Sequence, residues 1–451
     1  MIVGGRVRFT AAGRALKHRN FRLFFFGQLI SVTGTWMQSV AQGWLLVTLV
    51  GPKEAIVYLG LLGAVQFTPV LLLGLFGGII ADVWPKRRTV IFTQTAAGLL
   101  ALILGGLVFF HAVAIWHVFV LAFLLGLVNT IDMPSRQSFV VEMVGSDDIA
   151  NGVALNSAVF NGARIVGPAI GGLLIAVVGT ALCFILNGLS YGAVVIGLLA
   201  MRDSELKPAP RLAIPKSVSE VRSNLAEGLR YVWHTPVVLL AIAVIGCVST
   251  FGMNFNVVLP VMAAGVLKAG PTGFGILYAS MGAGALAAAL TVAMFQRPRL
   301  RVLLGGGMIL GLSEFVLAST TLFPIACAAV FFTGVGAIAT AISANSLVQV
   351  TVPGPLRGRV MSVYTTVFTG STPIGNGLTG GVGGLWGTPA ALVMNGGITL
   401  VAEVLAVVAV WRGGIRVSGG RGKDGRVGPR PTERELTPSA PVGKPVLPAI
   451  D

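Results

Sequence analysis

Charge is scarce in this sequence, and negative charge is scarcest. Only 11% of the 451 residues are charged, with 16 Asp and Glu against 32 Lys and Arg. Soluble domains average roughly 25% charged residues, so a string of soluble domains is excluded. Cysteine is nearly absent. Cys183, Cys247 and Cys327 form an odd, scattered set inside apolar runs, which supplies neither a disulfide framework nor a metal-ligand spacing. His18, His111, His117 and His234 fall singly at the ends of such runs. No Ser–His, Cys–His or clustered His arrangement supports an enzyme, and no metal or cofactor is implied. No G-x-x-x-x-G-K-[ST] phosphate loop occurs, so coupling to ATP within this chain is excluded. The stretch before Arg22 is basic and polar and shows no small-residue cleavage site, unlike a signal peptide.

Apolar residues fill the space that charge leaves. They make up 55% of the chain, with 61 glycines and a mean hydropathy of +0.86. A helix needs about 20 apolar residues to cross a bilayer. Twelve such runs are predicted, at 22–49, 56–81, 90–110, 115–137, 155–178, 181–201, 237–264, 273–295, 301–320, 323–350, 361–385 and 389–411. The net charge of +16 suggests nucleic acid until its distribution is considered. Lys53 and Lys268 lie in the short loops of one side and Arg164 lies within a run; the other 29 cations fall in the arm, the alternate loops and the tail. That asymmetry is the positive-inside rule, and no nucleic-acid partner is expected. The predicted fold class is an all-α membrane protein with twelve transmembrane helices, both termini cytoplasmic.

The expected organisation is a basic cytoplasmic arm (1–21), a six-helix bundle (22–201), a cytoplasmic linker (202–236), a second six-helix bundle (237–411) and a Gly-, Pro- and Arg-rich tail (412–451). The tail has too little apolar content for a core and reads as disordered. In the linker, Ser217-Val218-Ser219-Glu220 resembles a capping box. Val218, Val221, Leu225, Leu229 and Val232 then follow at helical spacing. This amphipathic helix lies either on the membrane surface or packed under the bundle.

The two halves echo one another. Gly60 and Gly275 open their second helices 215 residues apart. Ser157, Asn161, Arg164 and Pro168 share a spacing with Thr365, Thr369, Thr372 and Asn376, 208 residues on. A polar stripe repeated at one register points to a central cavity between pseudo-symmetric bundles, a known transporter plan. The first helix adds Gln28, Ser31, Thr35, Gln38 and Gln42 on one face. That face is uncharged but hydrogen-bonding over about 20 Å. Polar groups facing lipid are costly, so it lines the cavity or glues helices together. Asn254, Tyr278 and Asn345 are further cavity candidates, and Asn256 is a weaker one of the same kind.

Four ionisable residues fall well inside predicted spans, clear of their ends: Asp132, Arg164, Glu314 and Glu403. Each costs about 2.5–3.5 kcal/mol at the bilayer centre on insertion scales and so needs a reason. Asp132 and Arg164 lie at similar depth on neighbouring spans, and an ion pair between them is expected. Glu314 and Glu403 have no cation near in sequence, which suits them to take up and release a proton; Glu314, nearer the outer end, is also open to being simply hydrated. Gly167-Pro168-x-x-Gly171-Gly172 joins a helix breaker to close-packing glycines. It reads as a kinked seal between inward- and outward-facing cavities.

The turn after the second span, Gly78-x-x-x-Asp82-Val83-Trp84-Pro85-Lys86-Arg87-Arg88, carries three cations, as a positive-inside anchor should. It also carries a carboxylate that an anchor does not need. With this loop the chain resembles the major facilitator superfamily over nearly all of residues 20–412. The Gly-Pro-x-x-Gly-Gly segment is similar to the signature of that family's proton-coupled exporters. The runs Gly34–Gln42 and Asp132–Gln137 resemble its bacterial drug-efflux branch, which includes enterobactin-exporter-like proteins. Val83 and Pro85 depart from the loop signature, which usually has Arg and Gly there, and the fourth span lacks a buried Arg that Arg164 in the fifth would replace. The resemblance implies a gating latch in which Asp82 contacts the start of the eleventh span while Lys86, Arg87, Arg88, Arg136, Arg357 and Arg359 complete a charge network. It further implies a monomeric proton antiporter of the bacterial inner membrane, exporting small amphipathic compounds across the lipid bilayer. A siderophore or metabolite exporter and a proton-coupled importer are the alternatives. A scaffold would need neither the repeated polar stripes nor the mid-span acids.

Overall fold

The computed structural model describes residues 13–207, 218–295 and 299–412, with the side chains of 75–82, 218–225 and 355 excepted. The tail beyond Arg412, most of the basic arm and the side chains of Gly78 and Asp82 therefore lie outside the described residues.

Among the described residues the protein is helical throughout. The first half consists of α1 (Arg19–Val50), α2 (Pro52–Val83), α3 (Lys86–Phe109), α4 (Ile115–Val144), α5 (Ile149–Val178) and α6 (Thr180–Leu199). The linker helix is α7 (Val218–His234). The second half contains α8 (Pro236–Phe251), α9 (Phe255–Val261), α10 (Gly270–Ala293), α11 (Leu300–Ser319), α12 (Phe323–Thr351), α13 (Gly354–Gly370), α14 (Thr372–Trp386) and α15 (Thr388–Trp411). Among the described residues, ten segments are long and apolar enough to cross a membrane. The two other spans have physical reasons for falling short. Helix α1 has 32 residues, but its polar stripe lowers its hydropathy. The eleventh span, predicted as one helix, is broken at Ser371 into α13 and α14, of 17 and 15 residues.

That break has a local cause. Pro373 has no N–H to donate to the turn before it, and the Ser371 hydroxyl turns instead to Ser249 Oγ at 2.6 Å. The seventh span breaks likewise between α8 and α9. There the Asn254 amide donates to the Thr250 carbonyl of α8 at 2.7 Å and to Thr379 Oγ1 of α14 at 2.9 Å. Helix α5, by contrast, runs unbroken through Pro168.

The two halves meet through glycines in a crossed, twofold-like arrangement. A Cβ at Gly172 of α5 would stand 2.7 Å from Gly275 Cα of α10, and one at Gly60 of α2 would stand 2.7 Å from Gly380 Cα of α14. Gly172 and Gly380 are 208 residues apart, the offset that relates the repeated stripes, and Gly60 and Gly275 are 215 apart, the offset that opens both second helices. Gly179 and Gly387, again 208 apart, turn the chain at equivalent loops with φ of 83° and 87°. These contacts lie from the middle of the bundle toward the end opposite the basic loops.

At the basic end the first half is stitched together by its own ion pairs. Asp148, at the start of α5, is paired with Arg14 at 3.0 Å, Lys17 at 2.8 Å and His18 at 2.8 Å. Hydrogen bonds from Lys17 and then His18 hold its carboxyl down at about 2, from an ordinary 3.8. A depressed carboxyl contributes stability that is complete above the unfolded value and lost as pH falls through the folded one. We therefore expect amides of the 13–20 segment to lose hydrogen-exchange protection as pH drops from about 3.8 to about 2. Asp148→Asn should show the unprotected level throughout; protection unchanged at the acid end would refute the clasp.

Over its described side chains α7 packs beneath the second half. Val232 is buried, Gly228 sits on the Arg359 backbone, and Glu227 pairs with Arg359 at the start of α13.

Candidate functional site

A cavity of about 280 Å³ opens among α1 to α6. This is just under the roughly 300–1,000 Å³ of small-molecule pockets. Helix α1 contributes Ser31, Thr35, Ser39 and Gln42, together with Trp36. From the other helices come Gln66 and Phe67 of α2, Gln94 of α3, Asn129, Asp132, Met133 and Arg136 of α4, Phe160 of α5 and Tyr191 of α6. Asn256 of α9 is the one lining residue from the second half. Aromatic and aliphatic faces alternate with uncharged hydrogen-bonding groups, and one acid and one cation stand among them.

Asp132 is 3% exposed. It accepts hydrogen bonds from Thr93 Oγ1 at 2.6 Å and Gln94 Nε2 at 3.0 Å, and pairs with Arg136 Nε at 3.4 Å one turn on. Arg136 Nη1 in turn donates to Gln28 Oε1 at 2.8 Å. The network thus ties α1, α3 and α4 together around the acid. Taking two charges out of water is repaid only when further hydrogen bonds satisfy them, and Thr93, Gln94 and Gln28 supply those.

The ion pair expected between Asp132 and Arg164 is absent among the described residues. Equal depth was the ground for expecting it, but depth says nothing of direction around the helix. Helix α5 packs on α1 and α10 and scarcely touches α4. Arg164 therefore faces Trp36 of α1, with its guanidinium 5.5 Å from the ring centroid, and its Nε has no hydrogen-bond partner. Tyr278 of α10 lies in its electrostatic reach.

The other candidates divide by place. Ser31, Thr35 and Gln42 line the cavity. Thr35 Oγ1 also meets the Tyr191 hydroxyl at 3.3 Å. Gln38 accepts from Asn187 Nδ2 at 2.6 Å and joins α1 to α6 as glue. Tyr278 reaches the cavity edge by donating to Asn256. Asn161 bonds back to the Ser157 carbonyl, Asn254 sits at the α8–α9 break, and Asn345 accepts from Gln349 at 2.5 Å. Thr365 is exposed and Thr369 and Thr372 are half-buried; none of the three lines this cavity. The repeated stripes pointed to a central cavity shared between the halves; this one is lined almost wholly by the first. Gln66, Gln94, Asn129 and Tyr191 were missed. Asn129, Asp132 and Arg136 stand at i, i+3 and i+7, the spacing that marks the α1 stripe, and that signal was there to be read.

The residues assigned to the latch are spread over several contacts. Lys86 pairs with Glu142 at 3.0 Å. Arg87 binds Asp203 and the Leu198 and Leu199 carbonyls. Arg88 is exposed, Arg136 is in the cavity, Arg357 reaches the Val352 carbonyl at 3.5 Å, and Arg359 holds Glu227. In the seal, Gly167 and Gly171 let α5 close on Trp36 and Met37 of α1 while Gly172 faces Gly275.

Residues 10–413 match the transmembrane secretion effector family. The chain belongs to the major facilitator superfamily. Known relatives agree. The chain is 30% identical to the multidrug efflux pump Tap of Mycolicibacterium fortuitum over 86% of this chain and 94% of that one. It is 24% identical to the enterobactin exporter EntS of Escherichia coli O1:K1 / APEC over 87% and 92%. Solved structures share the fold at low identity. A POT family transporter in complex with a thioalcohol-conjugated peptide superposes with a TM-score of 0.70 at 12% identity, over 87% of this chain and 96% of that one. A bacterial homologue of the human lysosomal transporter Spinster gives 0.68 at 13%, over 87% and 97%. As a major facilitator superfamily member the protein is a multi-pass membrane transporter, not an enzyme, with the all-α fold of that family.

Proposed function

We propose that the protein exports small amphipathic organic compounds across the bacterial inner membrane by proton antiport, as a monomer, through alternating access. The observation that carries this reading is the cavity, whose aromatic walls enclose a buried acid held by Arg136. An apolar pocket with a few convergent polar groups suits amphipathic ligands. The distribution of Lys and Arg supports a cytoplasmic basic end with both termini on that side. The glycine seam then closes the periplasmic end, and the cavity is approached from the cytoplasm.

Asp132 is the cavity's own proton-coupling candidate, beside Arg164, Glu314 and Glu403 elsewhere in the bundles. The resemblance to a siderophore exporter favours a second reading in which the cargo is a siderophore or related metabolite. Purified protein in liposomes distinguishes these. Substrate-dependent collapse of an imposed pH gradient is expected with amphipathic dyes and drugs. A response to siderophores alone would favour the second reading, and none with any compound would refute proton antiport. Asp82→Asn is expected to reduce transport while leaving the protein inserted, because an anion at a helix N-terminus is worth about 0.3–1 kcal/mol. Full activity in that variant would remove the latch.

A further inference from the structure

The second half contains a polar column that the cavity does not use. On α15, Asn395, Thr399 and Glu403 occupy successive turns of one face. They span about 12 Å at 1.5 Å per residue. This face packs on α11, where glycines make room. A Cβ at Gly396 would stand 3.1 Å from Glu314 Cβ, and one at Gly307 would strike the Glu403 carboxylate. Gly252, between α8 and α9, opens onto Thr399 in the same way, at 3.3 Å from its hydroxyl. Glu314, Asn395, Thr399 and Glu403 are each no more than 1% exposed, so the protein itself buries them, including Glu314, which the sequence had left open to hydration.

Burial of this kind normally comes with hydrogen bonds, and here most are missing, although Asn395 Oδ1 accepts from Thr379 Oγ1 of α14 at 3.2 Å. Both Glu403 oxygens, Glu314 Oε2, Thr399 Oγ1 and Asn395 Nδ2 have no partner. An unmade bond of this sort costs about 1–3 kcal/mol, so interhelical glue does not explain the column. The groups facing it are few. Helix α8 offers Cys247, in electrostatic reach of Glu403. Helix α11 offers Glu314 and, at its distant first turn, the exposed Arg301. Helices α9, α12 and α14 offer no charged side chain, and Cys327 of α12 is the remaining titratable group. A hard metal cation would need six to eight oxygens around one point. The two carboxylates, set about 10 Å apart along α11 and α15 by the same rise, cannot share one. A proton needs a single oxygen.

We propose that Glu314 and Glu403 form a proton site between α11 and α15, separate from the substrate cavity. No wall of that cavity comes from either helix. Each carboxylate takes one proton onto an oxygen from one aqueous phase and returns it to the other, and no other bond forms or breaks. Proton and substrate then never compete for one group, and they are coupled only through the movement of the two halves. This rests on the proton-antiport reading and specifies its compartment.

The test uses the full chain. In infrared pH-difference spectra of the purified protein, the carbonyl stretch of protonated carboxylic acid should be present at neutral pH. It should weaken in Glu314→Gln and in Glu403→Gln, disappear in the double variant and persist in Asp132→Asn. In liposomes with ethidium as probe, gradient-driven accumulation should fall at least about tenfold in either Gln variant while gradient-free exchange stays within about twofold. A band that is missing from the native protein or unchanged in the Gln variants overturns the site. So does coupling lost only in Asp132→Asn, or exchange lost together with accumulation, which would mark a structural role. A native protein that moves ethidium without protons sinks the antiport reading instead, while the infrared band still decides whether the two acids hold protons.

Discussion

Gly172→Leu is expected to abolish export while leaving the protein folded and inserted. A Cβ there would lie 2.7 Å from Gly275 Cα and 2.8 Å from the Pro271 carbonyl oxygen. These are backbone atoms, which cannot swing aside as a long side chain can. Overpacking a tight contact costs about 1–3 kcal/mol, and about 1.4 kcal/mol is a tenfold shift between two states. The added side chain clashes only when the α5–α10 seam is shut, so the bias falls on the alternating-access equilibrium and not on folding. The readout is thiol labelling of a reporter cysteine placed beside the seam, which should rise by about tenfold or more on the same arithmetic. Labelling and export both at the native level would show that the seam has slack the geometry does not suggest.

Asp132→Asn should cost both stability and transport, and the second loss should outlast the first. Removing the acid strands the Arg136 guanidinium in the cavity wall with Gln28 as its remaining partner. Breaking a fully buried pair costs about 3–5 kcal/mol. Arg136 keeps 26% of its side chain exposed, so a smaller loss of about 1.5–3 kcal/mol fits a charged hydrogen bond. In Asp132→Asn/Arg136→Gln both charges are gone and much of the stability should return, giving a coupling of about 1–3 kcal/mol in a double-mutant cycle. Export should not return with it, since the acid that faces the cavity is still missing. Thermal unfolding in detergent measures the first effect and dye export the second. A double variant that exports as the native protein does would exclude a role for the Asp132 carboxylate in export.

These two expectations stand differently with respect to the sequence. The seal was readable, because Gly167, Pro168, Gly171 and Gly172 announce close approach by their chemistry. Their partner was readable only as a symmetry: the offset of 215 marked Gly60 and Gly275 as equivalent but not what each would touch. The Asp132 network was half readable. A buried acid needs partners, and Arg136 stands one turn away, yet matching depths favoured Arg164.

By itself the sequence determined the count of twelve spans, the basic end and the internal repeat. Run length, loop charge and spacing are local quantities, and burial in lipid acts on each helix alone. The tertiary structure decided where each polar face looks. It placed the cavity almost entirely in the first half, set Gln38 to bonding Asn187, broke the eleventh span at Ser371, and enclosed Glu314 and Glu403 between α11 and α15. Those outcomes depend on the rotation of each helix about its axis and on which neighbour it meets. Side-chain packing between distant segments sets both, and spacing along one helix carries no record of it.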